Sequence, residues 1–349
     1  MKQISPYGLS ILGAQNKVGL RVFCGIMDSN IKSDEITPHR DLQAECMKSF
    51  TIPSLRDGPL TESYTYHSPL PSLLTANKNE PCILGIDEAG RGPVLGPMVY
   101  SICYCTLSKY VQVSKMGFAD SKTLKESDRE AYFKIIQSRQ DCIAWSVRVI
   151  SPQDISWNML KRDKYNLNAQ AHDTTIQLIR EILDRGVNIN EIYIDTVGPP
   201  ESYQVKLSRI FTGINITVAK KADSLYPIVS AASICAKVTR DHVLKNWVFA
   251  EKNLNLNNSF GSGYPSDPNT VNWLKENRDV VFGFPRIIRF SWATCETILK
   301  KNTSPVIWPE EETSSRDPIT SFFTEGEKEK EKSFSNLLKE MKINYVSEF

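Results

Sequence analysis

The sequence predicts an α/β fold in which a mixed sheet is flanked by helices. Between residues 81 and 300, short apolar runs of strand length alternate with longer segments whose apolar residues recur at helical spacing. Alternation of this kind is typical of a sheet covered by helices. The chain has 349 residues, 41% of them hydrophobic, which is enough to bury a sizeable core. We expect the first strands of the sheet to run antiparallel.

Five apolar runs predict the strands of this sheet. They span residues 82–86, 98–105, 143–150, 192–194 and 214–218. Helical spacing fills the intervals and predicts helices at 126–137, at 168–186 and from about 224 to 247. Gly186 is the predicted stop of the second of these helices. A loop rich in Gly, Ser, Asn and Pro at 255–269 precedes a helix-rich segment at 270–299.

Composition divides the chain into three regions. Residues 1–80 mix short apolar pieces with Pro, Ser, Thr and Asn without a sustained period, which predicts a poorly ordered N-terminal extension. Residues 81–300 form the predicted folded domain. Residues 301–349 form a predicted disordered tail, in which 325–332 is nearly all charged and a short amphipathic piece follows.

Composition also excludes several classes of protein. No apolar run approaches the roughly 18 residues of a membrane-spanning helix, so the sequence excludes one. Residues 81–300 carry 27 basic and 22 acidic side chains, a balance compatible with a polyanionic partner. The eight cysteines include no Cys-x-x-Cys pair, which argues against a zinc site and indicates reduced thiols in an intracellular compartment.

Acidic residues stand at the ends of the predicted strands. Asp87 and Glu88 lie side by side where the first strand gives way to a Gly-Arg-Gly-Pro turn, and Asp195 ends the fourth strand. Because strand ends gather ligands at one sheet edge, we expect Asp87 and Asp195 to meet. Asp223 either turns to the same edge or only caps its helix. Glu88 joins the cluster only if the turn begins there, since strand alternation points it to the opposite face.

Four carboxylates around one point repel one another strongly unless divalent cations neutralise them. Oxygen ligands suit hard cations, so the pattern predicts two ions of Mg²⁺ or Mn²⁺. One ion would activate water and the other would stabilise the leaving oxygen in an in-line hydrolysis of a phosphodiester. The alternative is that an Asp-Glu pair beside glycine is only a solvated turn.

Two segments offer contacts to a sugar. The backbone of Gly90, Arg91 and Gly92 lies in a glycine-rich turn, where exposed amides let a sugar or phosphate come close. Tyr264 stands in a flexible glycine-containing loop. Its ring either stacks on a sugar or base or is a simple surface residue.

Basic and polar side chains predict phosphate contacts. Ser233, Lys237 and Arg240 share one helix face at i, i+4 and i+7, which predicts a phosphate track, the alternative being a solvated face. Lys122 and Asn166 offer two further contacts or belong to helix starts.

Several motifs together resemble type 2 ribonuclease H. They are Asp-Glu-Ala-Gly-Arg-Gly-Pro at 87–93, Asp-Ser-Lys at 120–122, Tyr-Ile-Asp-Thr-Val-Gly at 193–198 and Lys-Ala-Asp-Ser-Leu-Tyr-Pro at 221–227. The likeness covers about residues 80–300, with the motifs in the family's order. It looks most like the catalytic subunit of the eukaryotic enzyme, because residues 233–237, 261–265, 284–286 and 289–292 read like that branch.

The resemblance implies an RNase H-like fold with a helical C-terminal part. It implies an endoribonuclease that cleaves the RNA strand of RNA/DNA hybrids and incises 5′ of a single ribonucleotide in duplex DNA, leaving 3′-hydroxyl and 5′-phosphate ends. Such activity serves ribonucleotide removal from DNA and RNA primer removal. The metal-binding, catalytic carboxylates would be Asp87, Glu88, Asp195 and Asp223. The backbone of 90–92 and Tyr264 would sense the 2′-hydroxyl.

The resemblance also implies a heterotrimer with two accessory subunits, docked through the C-terminal part of this chain. Residues 316–323 have the hydrophobic and double-aromatic spacing of a sliding-clamp peptide, with Arg316 where Gln is usual, so Ile319–Phe323 binds either a clamp or the accessory subunits. We expect nuclear localisation. The first 27 residues contain Lys2, Lys17 and Arg21 and no acid, which is also a weak organellar presequence pattern.

Two other functions stay open from the sequence. One is a catalytically silent scaffold that binds hybrids and organises partners. The other is a metal-dependent nuclease or phosphatase that acts on DNA. The sequence leaves open the preferred metal, the activity of the chain without accessory subunits and the role of residues 1–80.

Overall fold

The computed structural model describes residues 52–118, 124–163, 165–196, 198–252 and 254–302. Within them a mixed sheet has six strands in the order β1-β4-β3-β2-β5-β6. Strands β1 to β4 pair antiparallel, and β5 and β6 extend the sheet in parallel from β2. The strands are β1 (Tyr64–His67), β2 (Cys82–Ala89), β3 (Met98–Thr106), β4 (Ile143–Ile150), β5 (Ile189–Asp195) and β6 (Asn215–Ala219). The predicted α/β fold with antiparallel first strands is confirmed.

Helices cover both faces of the sheet. Those of the described residues are α1 (Ser72–Ala76), α2 (Leu107–Ser114), α3 (Glu126–Ser138), α4 (Pro152–Leu160), α5 (Leu167–Asp184), α6 (Pro200–Ile210), α7 (Ala222–Leu225), α8 (Pro227–Lys245), α9 (Pro268–Glu276) and α10 (Ala293–Asn302). The predicted helices correspond to α3, α5 and α8, and the helix-rich end to α9 and α10. No helix within these residues is long and apolar enough to cross a bilayer.

Strand β2 lies in the interior of the sheet, and its two faces pack against different helices. On one face Leu84 and Ile86 join a core with Leu178, Ile179 and Ile182 of α5. A strand covered on both faces reads as a nearly continuous apolar run, which is why β2 is visible in the sequence. Its last residues carry the acidic pair to the sheet edge.

Helix α8 packs closely on the other face of β2. A Cβ at Gly85 would lie 2.5 Å from the backbone carbonyl carbon of Ile228 and 2.6 Å from the amide nitrogen of Val229. Only a residue without a side chain allows this approach. The contact fixes the start of α8 against the strand that carries Asp87 and Glu88.

We expect Gly85→Ala to destabilise the protein by about 3 kcal/mol, because strand or helix backbone must move to admit the methyl group. Gly198→Ala is the matched control, since a Cβ there would meet nothing within 4 Å. It should change the free energy of unfolding by less than about 0.5 kcal/mol. Urea unfolding monitored by circular dichroism measures both, and equal midpoints for the two variants would contradict the packing argument.

The start of the fold differs from the predicted boundary at residue 80. Strand β1 pairs with β4 from Tyr64↔Val149 to His67↔Ser146, so part of the predicted extension belongs to the sheet. Tyr64 is buried and its hydroxyl donates to the carbonyl of Ser54 at 2.8 Å. A four-residue edge strand has too few residues to show a clear period, which is why the sequence pattern did not predict it. Residues 1–51 and 303–349 lie outside the described residues.

The C-terminal helices form a second core beside the sheet. Leu95, Trp273 and Ile287 are buried there, and Leu95 bridges to Ile288. This core packs against the turn that follows β2, so the C-terminal segment supports the edge at which the acidic residues stand.

Candidate active site

Three carboxylates from three elements meet at one edge of the sheet. Asp87 of β2, Asp195 of β5 and Asp223 of α7 each offer an oxygen, and these oxygens all lie within 4.8 Å of one another. Asp87 and Asp223 are buried, with 4% and 1% of their surface exposed. The expected convergence of Asp87 and Asp195 is therefore seen, and Asp223 turns to the same edge.

Asp87 is held in place from two sides. The backbone amide of Glu88 donates to its Oδ1 at 2.7 Å, and the side chain of Ser233 on α8 hydrogen-bonds it. Burial, together with the charges of Glu88 and Asp195, holds the pKa of Asp87 well above its usual range, although these hydrogen bonds oppose the rise. Positive charge added beside this carboxyl would favour its ionised form.

A strained backbone residue links the other two carboxylates. Lys221 has φ 58° and ψ 39°, the left-handed region that a residue with a side chain rarely adopts. The next amide, that of Ala222, donates to Oδ1 of Asp195 at 2.9 Å. The turn thus aims one amide at Asp195 and begins the short helix that carries Asp223. Strain of this sort is typical of functional sites.

Glu88 lies beside the three-carboxylate group and is not part of it. The strand continues to Ala89, so the turn does not begin at Glu88 and alternation places this side chain on the face opposite Asp87. There Glu88 lines a cavity of about 90 Å³ that Asp195 also lines. Its charge still raises the pKa of Asp87. Direct metal binding by Glu88 stays a prediction.

The turn at 90–92 is supported from below by Arg289. This fully buried guanidinium donates from Nη2 to the carbonyl of Gly90 at 2.7 Å, from Nη1 to that of Arg91 at 3.1 Å and from Nε to that of Gly96 at 2.8 Å. Nε1 of Trp292 donates to the carbonyl of Gly92 at 3.0 Å. The carbonyls of the turn are thereby tied to the protein.

Arg240 lies directly beneath Gly90. A Cβ at Gly90, whose φ is +80°, would collide with the Arg240 side chain and would lie 2.8 Å from the carbonyl oxygen of Pro97. Burial lowers the pKa of Arg240, against the opposing charge of Asp241. Among the described residues, Nε and Nη2 of Arg240 have no hydrogen-bond partner. Its position beneath the turn is thus established, and its contact with a phosphate stays a prediction.

Tyr264 lies against the same turn. A Cβ at Gly92 would sit 3.3 Å from Cε1 of the Tyr264 ring, and 45% of this tyrosine is exposed. The amide of Val94 donates to the carbonyl of Gly263 at 2.8 Å, which ties the tyrosine loop to the turn. The two predicted sugar-sensing segments are therefore adjacent.

The predicted phosphate contacts have different positions. Ser233 is fully buried and hydrogen-bonds Asp87, in a part of the α8 face that packs on the sheet, and its phosphate contact stays a prediction. Asn166 caps α5 by accepting from the amide of Ala169 at 2.9 Å. Lys237 is partly buried on α8 and stays a predicted contact. Lys122 lies outside the described residues.

Sequence reasoning assigned no role to several residues of this region. Arg289 and Trp292 were part of a quoted motif, but their function depends on contacts with residues about 200 positions away. The cavity beside Glu88 is lined by Tyr100, His172 and Tyr203, none of which stands in a motif. A lone histidine or tyrosine on a helix has no local signal that separates it from an ordinary core residue.

The residues of the cluster fit divalent cations. Three carboxylates with oxygens within 4.8 Å, two of them buried, concentrate negative charge, and the neighbouring acids raise the pKa of Asp87. Oxygen donors in this number are those that Mg²⁺ and Mn²⁺ take. Asp87, Asp195 and Asp223 would hold such ions, with Glu88 beside them.

We expect Asp87→Asn to stabilise the metal-free protein relative to wild type near pH 7. The folded-state pKa of Asp87 is raised, so its contribution to stability is greatest below the unfolded pKa of about 4 and is lost as the pH rises through the folded pKa. Asparagine does not titrate, so the variant does not lose this stability as the pH rises. Thermal unfolding in EDTA from pH 4 to 8 checks the difference, which should shrink toward pH 4. A metal-free variant less stable than wild type at pH 7 would contradict the assignment.

Comparisons with known proteins place the chain among ribonucleases H. The family model described as Ribonuclease HII matches residues 84–295. The chain is 52% identical to the A-subunit of ribonuclease H2 from Homo sapiens over 73% of this chain and 85% of that protein. It is 50% identical to the corresponding A-subunit from Arabidopsis thaliana over 67% of this chain and 78% of that protein.

A solved structure shares the fold. The crystal structure of the ribonuclease H2 from Pyrococcus horikoshii OT3 superposes with a TM-score of 0.51 at 30% identity, covering 63% of this chain and 98% of that one. The expected RNase H-like architecture is thereby confirmed. The matched family segment spans all three clustered carboxylates, the turn at 90–92 and Tyr264. The chain therefore belongs to the ribonuclease HII family, resembles its eukaryotic catalytic subunits and is a ribonuclease H.

Proposed function

We propose that this ribonuclease H cleaves the RNA strand of RNA/DNA hybrids and incises 5′ of single ribonucleotides in duplex DNA by two-metal-ion hydrolysis, giving 3′-hydroxyl and 5′-phosphate ends. One observation carries the proposal: a cluster of three carboxylates stands at the sheet edge where the turn at 90–92 meets Tyr264. A reacting centre and a sugar-sensing surface are thus neighbours. Ribonucleotide removal from DNA and primer removal are the roles that such an activity serves.

In the proposed reaction the carboxylates hold and orient the ions. When bound, two divalent cations supply a nucleophilic water and stabilisation of the leaving oxygen. Ser233 and the Glu88 amide fix Asp87, and the Ala222 amide fixes Asp195, so these acids need little rearrangement before binding. Glu88 lies close enough to Asp87 to act on it electrostatically. Preorganised ligands of this kind lower the cost of reaching the transition state.

Recognition of the ribose follows from the neighbouring turn. Arg289 and Trp292 donate to the carbonyls of residues 90–92 and hold the turn in place, and its backbone amides are the groups that would donate to a sugar hydroxyl. A 2′-hydroxyl is both donor and acceptor, and it is the group that separates RNA from DNA at a given site. Tyr264 beside Gly92 offers a ring for stacking on the next sugar.

Cleavage of four labelled duplexes tests the proposal. They are an RNA/DNA hybrid, a DNA duplex with one ribonucleotide, an all-DNA duplex and an all-RNA duplex. Mg²⁺ or Mn²⁺ should support cutting of the first two, with product ends mapped to the 5′ side of the ribonucleotide. Cutting of all-DNA would favour the DNA-nuclease alternative. Tight hybrid binding without cutting would favour the silent scaffold.

We expect Tyr264→Ala to reduce incision at a single ribonucleotide by about tenfold or more while reducing cleavage of a continuous hybrid far less. A single stacking interaction is worth about 1–3 kcal/mol, and the junction substrate offers fewer alternative positions than a hybrid. Tyr193→Phe is a control variant, because Tyr193 lies on β5 and its hydroxyl donates to Glu191 at 2.9 Å. Equal losses on both substrates for Tyr264→Ala would contradict the stacking role.

We also propose that the chain acts in the nucleus in a heterotrimer with two accessory subunits, docked through its C-terminal part. The relatives in Homo sapiens and Arabidopsis thaliana are each named as one subunit, which describes a component of a larger enzyme. Residues 316–323, with their clamp-like spacing, lie outside the described residues. Purification from the native source identifies the partners. A peptide of residues 314–325 that binds a sliding clamp in isolation would assign the tail to the clamp and not to the accessory subunits.

A further inference from the structure

The cavity beside the carboxylate cluster contains residues that the proposed reaction does not use. It is lined on one side by Glu88 and Asp195 and on the other by Asn168 and His172 of α5 and Tyr203 of α6. Glu88 thus has the cation-binding edge on one side and a protein cavity on the other. A glutamate has three side-chain torsions, so its orientation in such a place depends on neighbours.

Two phenols flank Glu88 in this cavity. Tyr100 stands directly opposite Glu88 in the β2–β3 register, and paired residues of antiparallel strands present their side chains on the same face. Tyr203 reaches the same space from α6. Burial first, and in addition the charge of Glu88, raises the pKa of both phenols. Both rings therefore keep their hydroxyl protons and can donate hydrogen bonds.

The two phenols are fixed differently. Tyr100 is fully packed in the sheet and its hydroxyl is hydrogen-bonded to Arg91, which also donates to Asn168. Tyr203 lies on a helix, and its ring stacks on His172 with ring centres 3.9 Å apart and planes 11° apart. Its hydroxyl is hydrogen-bonded to Thr175. A parallel stack holds the plane of a ring, and a hydrogen bond at its tip holds the direction of the hydroxyl.

We propose that Tyr203 is a positioning residue that fixes the carboxylate of Glu88 beside the cation site, and that His172 holds Tyr203 in place by stacking. The inference rests on the proposed function, because it gives Glu88 a part in binding the cations. The charges of Glu88 and Asp87 repel each other, and in this inference the Tyr203 phenol, which lines the same cavity and feels the charge of Glu88, opposes a displacement of the Glu88 carboxylate. Partners that orient a ligand in this way commonly change metal affinity by about 10–100-fold when they are removed.

Direct Mn²⁺ binding, measured by electron paramagnetic resonance on the full-length chain with any co-purifying subunits, tests the inference without relying on turnover. Tyr203→Phe removes only the hydroxyl and should weaken Mn²⁺ binding roughly tenfold. The Michaelis constant for a hybrid should stay unchanged while kcat falls. Tyr193→Phe, which removes a hydroxyl bonded to Glu191 elsewhere on the sheet, should leave Mn²⁺ affinity unchanged.

A double-mutant comparison separates positioning from a general structural effect. In a Glu88→Gln background, Tyr203→Phe should cause no further loss of Mn²⁺ affinity, because the group on which it acts is gone. An equal loss in both backgrounds, or no loss in the wild-type background, overturns the inference. Normal Mn²⁺ affinity and turnover in Glu88→Gln alone would instead remove Glu88 from the proposed function.

Variants of His172 give an independent test should Tyr203→Phe fold poorly. His172→Phe keeps a planar ring and should retain Mn²⁺ affinity within about twofold, whereas His172→Ala should weaken it several-fold, as expected when a supporting neighbour is lost. Identical Mn²⁺ affinities for the two variants would overturn the stacking part of the inference. The two proposals can fail separately. If Asp195→Asn is inactive while the Tyr203 and His172 variants bind Mn²⁺ normally, the proposed function holds and the inference is refuted.

Discussion

Asp195→Asn should reduce hydrolysis of an RNA/DNA hybrid in Mg²⁺ by about a thousandfold or more, the scale typical when one essential member of a catalytic group is removed. Asp195 belongs to the group whose oxygens lie within 4.8 Å of one another. Removing its charge weakens the attraction for the cations on which the proposed reaction depends. We expect hybrid binding to change by less than about threefold, since the proposed ribose and phosphate contacts lie on other residues.

Asp195→Asn is suited to test the role of the carboxylate charge because it preserves the local structure. Oδ1 of Asp195 accepts from the Ala222 amide at 2.9 Å, and the carbonyl oxygen of asparagine can accept the same hydrogen bond. Single-turnover cleavage and fluorescence anisotropy measure the two effects separately. Asp184→Asn, at the exposed end of α5, is the matched control and should cut normally. Ordinary turnover by Asp195→Asn would show that the carboxylate cluster is not the reacting centre.

Arg289→Lys should have the second largest effect, a loss of about 10–100-fold in kcat/KM with a clear drop in Tm. Arg289 spans the carbonyls of Gly90, Arg91 and Gly96 with three different nitrogens. A lysine ammonium is a compact charge on a flexible stem and cannot reproduce that planar fork. Buried carbonyls that lose their partners cost about 1–3 kcal/mol each, and a shift of about 1 Å in a substrate-binding turn can cost a hundredfold in rate.

Two comparisons make this prediction specific. Arg286→Lys changes an exposed arginine three residues earlier and should leave both Tm and cleavage unchanged. The loss in Arg289→Lys should be larger for a single ribonucleotide than for an all-RNA strand, because the turn is proposed to sense one 2′-hydroxyl. Wild-type selectivity at wild-type rates in Arg289→Lys would mean that the turn keeps its shape without the guanidinium.

Local sequence patterns predicted the parts of this molecule that depend on short-range physics. The run from Cys82 became β2 because it is buried on both faces, and the periodic segments became α3, α5 and α8. Asp87 and Asp195 converge because they lie near the carboxyl ends of neighbouring parallel strands, which share an edge of the sheet. Strand β1 was missed because four residues at a sheet edge show too little pattern.

By itself the sequence determined which residues form five of the six described strands, which acids stand near their ends and which family the motifs resemble. Only the tertiary structure decided that Glu88 faces a cavity, that Ser233 is buried against Asp87 and that Arg289 holds a turn 199 positions away. The physical reason is the difference in sequence range between the two kinds of contact. Periodicity reports contacts within a few residues, whereas the burial and partners of a side chain depend on elements that meet only when the whole chain folds.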